Sequence, residues 1–195
     1  MLFYLTLGRK TVKLSDERYE EIKAEVVEVY KALHLTSFPV NAMDVCNRLG
    51  IILKSYNKMD DKTYITVIRA SEDGLVAKID DHYVIYYNPS KSTERIRFTV
   101  FHEIGHIILR HLIHDEENEA EANFFAGYFI APAPLIHHFK LDCEQEIMDK
   151  FWTTYSVAGH ALSRYTKWYI CTGGDYNSYE LELIKLAAEG EKKAL

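Results

Sequence analysis

His102-Glu103-Ile104-Gly105-His106 is an H-E-x-x-H motif, two histidines four residues apart with a glutamate beside the first. On a helix, residues four apart share a face, so both imidazoles can reach one metal ion. Glu103 follows His102 by about 100° of turn. Its carboxylate then stands beside the ion and can act on water without being a ligand. This is the chemistry of a zinc-dependent hydrolase. So short a motif also arises by accident, but its surroundings favour function. Arg97-Phe98-Thr99-Val100-Phe101 precedes it and Ile107-Ile108-Leu109 follows it. A helix apolar on most sides is buried. Burying two histidines and a glutamate without partners is costly, and a metal offsets that cost.

A catalytic zinc needs a third protein ligand. His111, His114, Glu116, Glu117, Glu119 and Glu121 are the nearby candidates. A third histidine six residues past His106 is absent, because that position is Leu112. His111 extrapolates to about 140° round the helix from His106. It reads as a solvated histidine near the helix C-terminus, where positive charge is favourable. A second helix is expected over about 117–130, stopping before Pro132. On it Glu119 and Asn123 share a face, and the small Ala122 and Ala126 adjoin that face and permit close packing. Glu121 lies about 200° from Glu119 and points elsewhere. Glu119 is therefore the expected third ligand, with Asn123 as a neighbour that orients a ligand histidine.

The elements that must position these residues can be outlined from pattern. Ser15 caps a helix over about 16–33 with Tyr19, Ile22, Val26, Val29, Tyr30 and Leu33 as its apolar stripe. Asn41 caps a short helix ending at Gly50. Ile51–Tyr56, Thr63–Arg69, Leu75–Ile79 and His82–Asn88 read as strands, the last two joined in a hairpin at Asp80-Asp81. Ser92 or Thr93 starts the motif helix. Helices are expected at about 143–151, 155–169 and 178–189, with a frayed tail from Glu189. The fold class is α+β: a small antiparallel or mixed sheet packed against the metal-binding helix and further helices. One domain spanning 1–195 is expected, helical from about 140 onward. Met1–Leu7 reads as an opening strand rather than a signal peptide. Tyr83, Tyr86 and Tyr87 either pack in the core or line the cleft, the core being favoured.

The 48% hydrophobic and 27% charged composition is that of an ordinary globular chain, and no apolar run is long enough for a membrane span. Cys46, Cys143 and Cys171 form no C-x-x-C pair, so each is expected buried or half-buried in a reduced, cytoplasmic setting. A net charge of -6 argues against direct nucleic-acid binding and suits a basic protein partner.

These residues together resemble the ImmA/IrrE family of metallopeptidases. The resemblance rests on Arg97-Phe98-Thr99, His102 to His106, Glu119-Ala120-Glu121-Ala122-Asn123-Phe124-Phe125-Ala126 and Pro132. It continues in Phe38-Pro39-Val40, Leu49-Gly50-Ile51 and Tyr83 to Pro89, and covers about 15–170. One departure is Gly127, where the family usually has alanine. The resemblance implies a gluzincin-like endopeptidase that uses Zn²⁺ and cleaves a selected protein. In that family the substrates are helix-turn-helix repressors of phages, mobile elements or stress regulons, and cleavage derepresses genes.

The expected mechanism has His102, His106 and Glu119 holding Zn²⁺. Glu103 takes a proton from the attacking water and delivers it to the leaving amine. A second electrophile for the oxyanion would come from His114, Tyr128, His137, His138, Tyr155 or His160, among which sequence does not choose. A rival reading makes the chain a DNA-binding regulator with a structural metal, its helix-turn-helix being two short helices in Phe151–Tyr169 with Val157, Ala161, Leu162 and Tyr165 as core. Only Arg164 and Lys167 supply positive charge there, which counts against it. A protein-binding module that retains the metal site is a third reading.

Overall fold

Side-chain caps start the helices that frame the metal-binding motif. In the computed structural model, which describes residues 12–194 except 114, Ser15 accepts from the Arg18 N–H and opens α1 (Asp16–Ala32). Asn41 does the same for α2 (Ala42–Arg48), Ser92 for α4 (Thr93–Ile108) and Asp115 for α5 (Glu116–Ile130). Three strands, β1 (Ile52–Ser55), β2 (Gly74–Ile79) and β3 (His82–Tyr87), form a sheet of order β1-β3-β2. β3 pairs antiparallel with β2 through the expected hairpin and parallel with β1, so the sheet is mixed.

The expected strand at Thr63–Arg69 is instead helix α3 (Asp61–Ala70). Its β-branched run favours a strand. The Asp60 carboxylate overrides this by accepting from both the N–H and the hydroxyl of Thr63, which closes the first helical turn. Tyr64 and Ile65 stay exposed on it.

The C-terminal third is helical: α6 (Ala133–His138), α7 (Glu144–Phe151), α8 (Tyr155–Thr172) and α9 (Ser178–Ala194). α6 was not expected. It follows the helix-stopping Pro132 immediately, with Pro134 in its first turn. α8 is one continuous helix, so the two short helices required by the DNA-binding reading do not form within Phe151–Tyr169. The tail is not frayed from Glu189, because α9 runs to Ala194 and Gly190 lies against the Thr36 carbonyl, where a Cβ would collide. The expected opening strand at Met1–Leu7 lies outside the described residues.

One buried cluster draws from α1, α2, β3 and α4 through α9. Ile85 represents β3 in it, and Val84 beside it is also buried. Tyr86 and Tyr87 are only half-buried and Tyr83 is exposed, so the tyrosines are not core residues. Of the cysteines only Cys46 is buried, while Cys143 and Cys171 are exposed.

Two close approaches seat α4. Gly74 of β2 sits on Thr99, where an added Cβ would lie 2.5 Å from the threonine methyl. Gly105, inside the motif, faces Phe125 of α5, where a Cβ would lie 3.1 Å from the ring. Ala122 and Ala126 are fully buried, as close α4–α5 packing requires. The guanidinium of Arg97 completes the seating. Its Nε donates to the Val40 carbonyl at 3.0 Å, and one terminal nitrogen donates to the Phe151 and Trp152 carbonyls at 2.6 and 2.8 Å. Burial pushes its pKa down to about 10, which leaves it charged at neutral pH.

Candidate metal centre

α4 carries His102 and His106 on one face and α5 brings Glu119 opposite them. The His102 and His106 Nε2 atoms are 3.0 Å apart. His102 Nε2 lies 3.4 Å from one Glu119 oxygen and His106 Nε2 lies 3.5 Å from the other. A tetrahedral ion with ligand bonds of about 2.1 Å spaces its ligand atoms about 3.4 Å apart. The three donors therefore fit a divalent metal, and among the described residues they form the only such His, Cys, Asp or Glu group.

Their electrostatics suit that role. His102 first, then His106, holds the Glu119 carboxyl well below the usual carboxylate range. Burial lowers the His106 pKa against the pull of Glu119, which keeps a neutral imidazole with a lone pair to donate. Glu103 is buried at 5% exposure and lies outside the ligand group. It is near enough to the buried Tyr56 hydroxyl to help raise that pKa, which burial mainly pushes up to about 12.

His111 is not solvated. α4 ends at Ile108 with Leu109 as its C-cap, and Arg110 takes a left-handed conformation with φ 58°. The Arg110 N–H then donates to the Ile107 carbonyl and the His111 N–H to the His106 carbonyl, a Schellman closure. This folds His111 back over the helix end with its side chain 5% exposed. Its Nδ1 lies 2.9 Å from His106 Nδ1, and its Nε2 lies 3.0 Å from a Glu121 oxygen. Arg18 of α1 grips Glu121 with Nε at 2.7 Å and a terminal nitrogen at 2.5 Å. The hydrogen bond from Arg18, ahead of burial and His111, governs the lowered Glu121 pKa.

One set of tautomers satisfies the whole row. With His106 Nε2 turned to the metal, its Nδ1–H donates to His111 Nδ1, and the His111 Nε2–H donates to Glu121. A ligand histidine held in this way is fixed in both tautomer and ring orientation. Asn123 was expected in that role, but it is exposed, and among the described residues no hydrogen bond joins it to His102 or His106. Glu121 does point away from the metal, as expected, yet it anchors the residue that orients His106.

In front of Glu119 lies a cleft of about 820 Å³, lined from α4, α5 and α8 by residues including Phe98, Glu119, Asn123, Phe124, Val157, His160 and Arg164. That size admits a stretch of peptide. Of the candidate second electrophiles, His160 lines this cleft. Tyr155 is exposed and Tyr128 is buried without a hydrogen-bond partner. His137 packs against Tyr165 and Trp168, His138 meets Glu191, and His114 lies outside the described residues.

Residues 51–163 match the peptidase M78 family model, described as the IrrE N-terminal-like domain. The match spans more than half of the chain and includes β1–β3, α4 and α5, and the chain belongs to this metallopeptidase family. No curated protein matches it. No helix among the described residues is long and apolar enough to cross a membrane.

Proposed function

We propose that the chain is a zinc-dependent endopeptidase of the cytoplasm that cleaves one selected protein, a helix-turn-helix repressor of a phage or mobile element, and so derepresses genes. The observation that carries the hydrolytic part is the three-donor group His102, His106 and Glu119 with Glu103 buried next to the first ligand. Bound to these donors, zinc supplies Lewis acidity to a water and to the scissile carbonyl. Glu103 takes the proton from the attacking water and passes it to the leaving amine. The His111–Glu121–Arg18 row keeps His106 in its donor tautomer. His160 lines the cleft, and on this reading it is the residue that meets developing charge on the oxyanion.

The repressor part rests on family membership and on charge. A net charge of -6 complements a basic DNA-binding protein. β2 is a sheet edge packed on α4, the helix that carries the motif, so an extended segment of the partner can pair with it.

The test is co-incubation of the zinc-loaded chain with a panel of helix-turn-helix repressors, any encoded by neighbouring genes first, with cuts mapped by mass spectrometry. Wild type is expected to cut once or at few sites. Glu103→Gln, with equal bound metal, is expected not to cut. Equal cutting by the variant removes Glu103 as the base. No cutting by wild type removes the repressor as substrate while leaving the metal centre intact.

A further inference from the structure

Two arginines line the cleft, and they differ in their partners. Arg95 is held by Asp73, with Nε at 3.1 Å and a terminal nitrogen at 2.6 Å from its carboxylate oxygens. Arg164 has no carboxylate among the described residues. One terminal nitrogen donates to the Gly127 carbonyl at 2.9 Å, the guanidinium carbon stands 5.8 Å from the Phe124 ring centre, and the buried Nε has no partner. Burial lowers its pKa to about 10, and only the Tyr128 and Tyr19 hydroxyls oppose that shift. The half-buried guanidinium thus stands on the cleft wall with hydrogen-bonding capacity unused, which an anion in the cleft would take up.

Two features show how the cation is aimed. Val157, His160 and Arg164 recur at helical spacing and bring one face of α8 to the cleft. Gly127 makes the room, since a Cβ there would lie 3.3 Å from both terminal nitrogens of Arg164. Position follows from α5 used as a ruler. Gly127 lies eight residues beyond Glu119, about 12 Å along the helix. An extended peptide covers that span in about three to four residues.

We propose that Arg164 is a specificity-determining residue that binds a carboxylate of the substrate three or four residues from the scissile bond. The assignment of a scissile bond rests on the endopeptidase reading, but carboxylate binding does not. The carboxylate comes from an acidic side chain or from a chain terminus, and the same chemistry serves both. Had Arg164 only a structural role, stapling α8 to α5 through the Gly127 carbonyl, the charge of a bound peptide would be immaterial.

The experiment uses full-length, zinc-loaded Glu103→Gln protein, immobilised and offered a random decapeptide library capped at both ends. Bound peptides are identified by mass spectrometry. Asp and Glu are expected to be enriched about tenfold at one position. The enrichment disappears in the additional variant Arg164→Gln and partly returns in Arg164→Lys. A second library with free C-termini separates the sources: enrichment confined to peptides ending at that position assigns the terminal carboxylate. Acidic enrichment that survives Arg164→Gln overturns the proposal. So does its absence from both libraries with Arg164 intact, whatever the variants do. Failure of wild type to cut any protein is read separately, in the cleavage assay, and leaves this binding result standing.

Discussion

Behind His106 the polar side chains form a closed row, His106 to His111 to Glu121 to Arg18, with each contact between 2.5 and 3.0 Å. In front of Glu119 the cleft wall holds exposed Asn123 and His160 and the incompletely bonded Arg164. Both sides carry an arginine. Arg18 spends two donors on one carboxylate, whereas Arg164 spends one on a carbonyl. The difference separates two tasks. The rear wall is complete without a ligand and fixes donor geometry. The front is incomplete and acquires its partners with the substrate. Changes behind should therefore act on metal affinity and stability, and changes in front on turnover and peptide choice.

The sharpest division comes from Glu103→Gln, which should cost about 10²–10⁴ in cleavage rate with metal content unchanged, read from initial rates and metal analysis on one preparation. His111→Ala should weaken zinc about 10–100-fold in competition with a chromophoric chelator, and His111→Gln, which keeps an acceptor, should recover part of this. Unchanged zinc affinity in His111→Ala would mean that the rear row orients nothing. Arg18→Ala should cost about 2 kcal/mol in urea unfolding at neutral pH. The Glu121 pKa is depressed below its ordinary 4.5, so its contribution is present above that pH and is lost as pH falls through the folded value. The gap between wild type and Arg18→Ala should accordingly close in acid. Smallest of all, Asn123→Ala should leave zinc affinity within about twofold. A tenfold loss there would return the orienting role to the cleft side and collapse the distinction.

Sequence reached the front of the centre more easily than the rear. His102, His106, Glu103 and Glu119 lie on two helices whose caps and periods are local, so a helical projection carries them into place. Ser15, Asn41 and Ser92 announced their helices for the same reason. His111 escapes a helical projection because α4 has ended before it. The chain reverses at Arg110, a non-glycine residue in a left-handed conformation, and no glycine marked the turn. Glu121 found its meaning only through Arg18, a contact 103 residues away in the chain. α3 shows the limit of propensity: Thr63–Arg69 reads as a strand, but the Asp60 cap decides for helix. Asp60 with Thr63 three residues on was a usable signal for it.

Arg97 has a consequence in time. It sits five residues before His102, and its carbonyl partners come from 57 residues earlier and from 54 and 55 residues later. At about 5–20 residues per second of synthesis, both histidines are added to the chain seconds before Phe151 and Trp152. A nascent chain can display the whole H-E-x-x-H motif while the clamp on its helix is still unmade. The helix that carries both histidines is therefore fully seated only after the chain through Trp152 has been made and folded.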